Sequence, residues 1–161
     1  MKGDLREKLI FSVQIKGTEP SAVYMGRVYT QLVLIEFANG IQEYVSDDFM
    51  LCTPDMVEET KEIILAMLVL SLEKTETTTM GIDTPLDPQR SSAGPKWDLN
   101  GRIEEIIIPD DPEKAERWRD AVVDFGLGKI LIDIDSEYFP LKLKAGDYIH
   151  VYGRIDLRGI E

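Results

Sequence analysis

Cysteine is nearly absent from the 161-residue sequence, in which Cys52 stands alone, and no long apolar run occurs. A single cysteine excludes an internal disulfide framework and a multi-cysteine zinc site within one chain, and it favours a reducing compartment. The first residues have no apolar core of signal-peptide length, and no later stretch approaches the roughly 20 apolar residues that a membrane span needs. We therefore expect a cytoplasmic protein that is neither secreted nor membrane-spanning.

Basic residues are also scarce, since 18 Lys and Arg face 30 Asp and Glu, for a net charge of −12. The acidity is uniform, because the part up to Lys96 and the part after it each have a net charge of −6. No basic tail or half supplies the phosphate neutralisation on which general nucleic-acid binding relies. A nucleic-acid partner is therefore disfavoured, although one local basic patch remains open. The charged fraction of 30% also matches a compositional bias of thermophilic proteins.

Recognisable catalytic and cofactor motifs are missing as well. No serine or cysteine stands in a nucleophile turn of the Gly-x-Ser-x-Gly type, and His150 is the only histidine. The pair Gly126 and Gly128 follows a predicted helix and precedes a strand, which is the reverse of the order in a dinucleotide-binding loop. The sequence therefore predicts no catalytic residues and no cofactor, and an enzyme is not the expected function.

With 43% hydrophobic residues, the chain can bury a core in one domain or in two lobes that share one. Alternation predicts a strand over 8–16, and β-branched and aromatic residues predict strands over 23–37 and 41–45, joined by a hairpin at Asn39-Gly40. Thr53 and Pro54 are typical of a helix start, so we predict a helix over about 54–74. Its apolar part, 63–72, is expected to lie in the core or in a subunit interface.

The composition changes over 75–96, which is rich in threonine and proline and reads as a loop, a linker or a binding flap. Strands are predicted over 97–108 and 129–135, with a helix over about 112–125 between them. The expected fold class is therefore α+β, with antiparallel β-sheets or a small β-barrel and two helices. The expected organisation is a lobe over 1–74, the loop over 75–96, and a second lobe over 97–161.

The last strand separates its residues by parity. Ile149, Val151, Ile155 and Leu157 fall on one face, and the other face carries Tyr148, His150, Tyr152, Arg154 and Asp156. The phrase over 144–155, with a Gly-Asp turn, apolar alternation and Gly-Arg, resembles a strand of OB-fold domains, and the segments 100–103 and 128–133 resemble that fold's first and middle strands. The resemblance covers about 97–161. A helix between these two segments departs from the usual OB arrangement, so another small β-barrel or a mixed sheet remains open.

The OB resemblance implies binding of oligonucleotides, oligosaccharides or proteins across one face. The row Tyr148, His150, Tyr152 and Arg154 then offers rings for base stacking and groups that can meet phosphate, although such rows also simply cover a sheet. Asp133 and Asp135 share one strand face and are weak candidates for a hard cation such as Mg²⁺. The candidate interface of the predicted helix consists of Ile63, Ile64, Met67, Leu68, Leu70 and Leu72.

Together these patterns predict a non-catalytic interaction module. Its expected partner is another protein or a second copy of the chain, bound through the apolar residues of 63–72. The alternative is single-stranded nucleic acid bound through the row of Tyr148 to Arg154. Neither hypothesis places a membrane among the partners.

Overall fold

The computed structural model describes residues 3–83 and 95–161. Within them the chain forms one nine-stranded sheet and a few short helices. The helices are α1 (Gly3–Leu9), α2 (Pro112–Ala115) and two 3₁₀ helices, Pro54–Met56 and Ser136–Leu141. The strands are β1 (Phe11–Tyr24), β2 (Arg27–Glu36), β3 (Gln42–Asp47), β4 (Thr60–Lys74), β5 (Gly81–Ile82), β6 (Lys96–Ile107), β7 (Trp118–Asp124), β8 (Lys129–Asp135) and β9 (Tyr148–Ile160). The protein is thus mostly β.

The strand pairings close two rings that share β4 and β9. In the first ring β1, β2 and β3 form an antiparallel meander, β3 pairs in parallel with β9, β9 pairs with β4, and β4 returns to β1. In the second ring β6, β7 and β8 form the meander, β8 pairs in parallel with β4, β4 pairs with β9, and β9 returns to β6. The long strands β4 and β9 therefore each serve both rings.

The two rings repeat one register. Gln14 pairs with Glu36 in the first ring, and the residues 88 positions later, Arg102 and Asp124, pair in the second. The pair of Phe11 with Ile63 is repeated at the same offset by Leu99 with Val151. The turn before the shared strand also repeats, because Glu58 and Gly146 both have positive φ angles, 71° and 96°. The second ring is thus a structural copy of the first, and the copy allows the same position to be compared in both.

The inner faces of both rings pack into one hydrophobic core. At its centre lie four aromatic rings, whose neighbouring centroids are 5.9 to 6.2 Å apart: Phe11, Phe37, Trp97 and Phe125. Phe37 and Phe125 stand at equivalent positions of the two rings and touch edge to face. On the outer side, Leu9 of α1 packs with Ile64 of β4 and Val122 of β7 in a second cluster.

The helix predicted over 54–74 is wrong. Only Pro54–Met56 is helical, as a 3₁₀ turn, and Thr60–Lys74 is strand β4. Apolar residues on both sides of a segment are compatible with a buried helix or with a strand covered on both faces. Here Ile63 and Leu65 face the core while Ile64 is covered by α1, so the first part of the run is buried on both faces of the strand. The apolar Leu68 and Leu70 further along lie on the open outer face.

The helix predicted over 112–125 is also wrong beyond its first turn. Its start is confirmed, since the side chain of Asp111 accepts a hydrogen bond from the backbone N–H of Glu113. The helix ends at Ala115, and Trp118–Asp124 forms strand β7. The buried Ala121 and Val123 face the core, and Val122 is buried on the other side beneath α1. Because β7 is buried on both faces here, its apolar residues do not alternate, and their pattern was read as the buried face of a helix.

The other predicted strands are confirmed, except that the strand predicted over 8–16 begins only at Phe11, because Lys8 and Leu9 belong to α1. On β9 the residues expected in the core are buried, and on β8 so are Ile130, Ile132 and Ile134. The loop over 75–96 is described only in part, since 84–94 lie outside the described residues, and β5 falls within it. The division into lobes over 1–74 and 97–161 stays a prediction. No helix in the described chain is long and apolar enough to cross a membrane.

Candidate binding cleft

The row predicted on β9 lies in the middle of the sheet, between β4 and β6. Tyr148, His150, Tyr152 and Arg154 are each half-buried. The imidazole of His150 lies between two carboxylates, with Nδ1 3.3 Å from Oε1 of Glu73 and Nε2 in contact with Asp98. The structure therefore places acids beside the imidazole, where a phosphate was expected.

The six residues of the predicted apolar interface do not form one surface. Ile63, Ile64, Met67 and Leu72 are buried inside the molecule. Leu68 and Leu70 lie on the outer face of β4 with 50% and 49% of their surface exposed. Alternation explains why Ile63 and Met67 face the core while Leu68 faces outward. Ile64 has the outward parity of Leu68 but is covered by Leu9 of α1, and Leu72 follows a register shift between Val69 and Ser71.

Beside Leu68 the outer face of the sheet forms a cleft of about 490 Å³. This volume falls within the range of small-molecule sites. The floor is apolar, with Ala66 and Leu68 from β4, Leu131 from β8 and Trp118 from β7. Because Trp118 is half-buried at the cleft and Trp97 is in the core, the two tryptophans report on different parts of the molecule.

Charged residues cross this cleft in a row perpendicular to the strands. Arg154 of β9 pairs with Leu68 of β4, and Asp133 of β8 pairs with Asp120 of β7. Leu68 and Asp133 follow directly on the parallel pair of Met67 with Ile132. A guanidinium, an isobutyl group and two carboxyl groups therefore stand side by side on four adjacent strands. We call Asp120 and Asp133 the acidic wall.

The acidic wall is in an unfavourable electrostatic position. Burial, followed by the charge of Asp133, raises the pKa of Asp120 above its usual value. Burial, followed by the charge of Asp135, likewise raises the pKa of Asp133. Neither carboxyl group has a basic partner within 4 Å among residues 3–83 and 95–161. A positive group placed beside them would relieve both effects.

Arg154 and Arg158 form the basic wall on β9. The guanidinium of Arg154 donates from Nε to Oδ1 of Asp156 at 3.0 Å and from Nη2 to Oδ2 at 3.1 Å. The neighbouring Asp156 and Asp48 raise the pKa of Arg154 further, so its charge is permanent. Arg158 is held more loosely, with Nη2 3.6 Å from Oδ2 of Asp156 and its guanidinium carbon 5.8 Å from the ring centroid of Phe49. Arg158 is thus the wall's freer donor.

Asp133 and Asp135 were weak candidates for binding a hard cation, and no metal site was predicted. In the described ranges no group of three or more His, Cys, Asp or Glu side chains stands close enough to hold a metal ion. Asp133 instead faces Asp120 across the β7–β8 hairpin.

Sequence reasoning found Arg154 and Asp133 but missed Asp120, Trp118 and Arg158. Asp120 and Trp118 were missed because their segment, strand β7, was predicted to be a helix. The parity of β9 did contain a usable signal for Arg158, since it continues the face that carries Arg154 and Asp156.

Comparisons with known proteins show a structural likeness to a solved structure but no similarity in sequence. No protein-family model matches the chain, and no curated protein is similar to it in sequence. A solved structure described as the cytoplasmic molybdate-binding protein ModG, with molybdate bound, aligns with a TM-score of 0.49 and 12% sequence identity. The alignment covers 92% of this chain and 95% of ModG.

The structure corrects the functions expected from the sequence. Both the protein-binding or self-associating module and the single-strand nucleic-acid binder are wrong, as are the partners they implied. The apolar helix that was to carry self-association is strand β4, and the row on β9 that was to meet phosphates is lined with carboxylates.

Proposed function

We propose that the protein binds a small ligand with a positive group at one end and a negative group at the other. The observation that carries this proposal is the separation of charge across the cleft, with the acidic wall on β7 and β8 and the basic wall on β9. A positive ligand group would lie between Asp120 and Asp133, and a negative group would meet Arg158. The apolar floor at Leu68 would contact the middle of the ligand.

The spacing of the walls sets the size of the ligand. Strands β9 and β8 are separated by β4, so their backbones lie about 10 Å apart. Arg158 lies four residues along β9 from Arg154, which is about 13 Å further along the strands, so a ligand must be extended to reach from the acidic wall to Arg158. A chain of methylene groups between an amine and a carboxylate can span this gap, whereas a single tetrahedral ion cannot.

The charge of the lining also favours such a zwitterion over a bare anion. Two arginines and three aspartates line the cleft, so its formal charge is −1. The carboxylate of Asp156 already engages Arg154, and only Arg158 retains several free donors. A ligand with two negative charges would meet the acidic wall without compensation.

Fluorescence of Trp118 gives a direct assay, because this side chain lines the cleft. We would titrate the protein with three amino acids of increasing length, namely glycine, 4-aminobutanoate and 6-aminohexanoate. The comparison ligands each carry one kind of charge: 1,6-diaminohexane is a cation, hexanoate is an anion, and molybdate is a small dianion. The proposal predicts saturable quenching or enhancement by one of the longer amino acids and weaker binding of the ligands with one kind of charge. No saturation by any amino acid in the millimolar range would overturn it.

Matched variants locate the binding. Replacing the acidic wall by Asp120→Asn with Asp133→Asn, or changing Arg158→Gln, should weaken binding about tenfold or more, since each removes hydrogen bonds to a charged group. Asp110→Asn, an exposed change outside the cleft, is the control and should leave the affinity unchanged. Equal effects of all variants would show that the ligand responds only to the net charge of the protein.

The pairing order of the rings supports an OB-like interpretation for both of them. Each has an antiparallel meander of three strands, whose third strand pairs in parallel with a strand from the other half of the chain. We infer that each ring is a five-stranded OB-like unit, in which β4 and β9 complete the three-stranded meander. A cytoplasmic location stays a prediction from the sequence.

A further inference from the structure

Arg119 closes one end of the second ring with a buried, unsatisfied donor. It shares the inward parity of Ala121 and Val123 on β7, and its guanidinium carbon lies 4.3 Å from the ring centroid of Phe139. The Nε atom is buried and has no hydrogen-bond partner among the described residues. A buried donor without an acceptor costs free energy, so this position calls for one.

The first ring shows what satisfies the same position. There the residue that corresponds to Arg119 is Gln31, 88 positions earlier, and it pairs across the hairpin with Asp47. Nε2 of Gln31 donates to Oδ2 of Asp47 at 2.8 Å and to the carbonyl of Cys52 at 2.7 Å. The first ring thus supplies a buried carboxylate from its own chain.

The second ring lacks that carboxylate. The residue paired across the hairpin with Arg119 is Ile134, which offers no acceptor. A crevice of about 20 Å³ lies beside the two residues, with Ile106 and Leu143 in its walls and the exposed Lys142 on its border. Lys142 has no carboxylate within 4 Å in the part of the chain that the structure describes. In a protein of net charge −12, two cations without acids stand together here.

We propose that this crevice binds the carboxylate of a small organic acid. One carboxylate oxygen takes the hydrogen bond from Nε of Arg119, in the role that Asp47 has in the first ring, and the charge of Lys142 attracts the group to the opening. The crevice holds roughly one water-sized group, so one carboxylate oxygen enters it and the rest of the acid stays at the opening beside Lys142. A planar carboxylate matches the planar guanidinium better than a tetrahedral phosphate or sulfate does. The site is separate from the binding cleft and does not depend on the proposed ligand there.

Nuclear magnetic resonance of the arginine Nε–H groups tests the proposal with acetate as the probe. The assigned Nε–H signal of Arg119 should shift saturably as acetate replaces chloride at constant ionic strength. Lys142→Ala, an exposed change, should weaken the apparent affinity about threefold, as expected for the loss of one surface charge. A shift that does not saturate, or an equal shift with sulfate, would overturn the proposal and leave a water molecule as the acceptor.

Removal of the donor supplies the matched control. Arg119→Gln takes away the guanidinium Nε–H and leaves the core residue Ile134 in place, and this variant should fold while its melting temperature, unlike that of the original protein, does not rise with acetate. If the variant gains as much stability from acetate as the original protein does, the acetate acts elsewhere and the proposal fails. Arg102→Gln, which changes an exposed arginine outside both sites, should leave the acetate response unchanged and so separates binding at Arg119 from a general effect of charge.

Discussion

Replacing Gly153 by alanine should destabilise the protein strongly, because β4 leaves no room for a side chain at this position of β9. A Cβ atom at Gly153 would lie 2.2 Å from the carbonyl oxygen of Leu68 and 2.7 Å from Cγ of Met67. The first contact is with the backbone of β4, which is paired along β9 and cannot shift without disturbing both rings. Overpacking of this kind costs about 1–3 kcal/mol, and the backbone contact places Gly153→Ala at the upper end.

Gly159→Ala on the same strand is the matched control. Its Cβ atom would come no closer than 3.4 Å to Cδ1 of Ile64, which is near ordinary contact. The free energy of unfolding, measured by urea denaturation, should fall by about 3 kcal/mol for Gly153→Ala and by less than about 0.5 kcal/mol for Gly159→Ala. The corresponding decrease in melting temperature is about 6–12 °C for the first variant. Equal stabilities of the two variants would refute the close approach of β4 and β9.

Three further perturbations test the core and its buried polar groups. Burial raises the pKa of Glu43 to about 7, so this carboxyl group keeps its proton in the folded state at pH values where the unfolded state, with a pKa of 4.5, has released it. The protein therefore loses stability as pH rises from about 4.5 to 7. In urea denaturation, Glu43→Gln should be more stable than the original protein by about 2–3 kcal/mol at pH 8 and equally stable near pH 4. Burial, followed by the charges of Asp47 and Asp55, raises the pKa of Cys52 to about 11, so a thiol reagent at pH 8 should label this residue only after unfolding, and rapid labelling of the folded protein would contradict its position. Leu9→Ala should cost about 2–4 kcal/mol in thermal unfolding if α1 covers the outer sheet face as described, whereas a change near zero would show that α1 is not docked.

Sequence patterns predicted those strands that have one buried and one open face. On β8 and β9, alternate residues meet the core and the outside, so a period of two appears directly in the sequence. The pattern failed for β4 and β7, because α1 covers Ile64 and Val122 on what would otherwise be the open face. An apolar residue at every position carries no period, and helix and strand then cannot be told apart.

The candidate cleft could not be predicted from the sequence, for a different reason. Parity indicates which face of a strand a residue occupies, but not which strand lies beside it. Arg154, Asp133 and Asp120 become neighbours only because β4 is inserted between β9 and β8 and pairs in parallel with β8. Such a parallel pairing between distant segments leaves no local signal.

A structure of the protein with the best amino acid of the fluorescence titration would test the proposed function most directly. The account predicts the ligand's amine between Asp120 and Asp133 and its carboxylate at Arg158, with its methylene chain over Leu68. A ligand bound in the reverse direction, or bound outside this cleft, would contradict it.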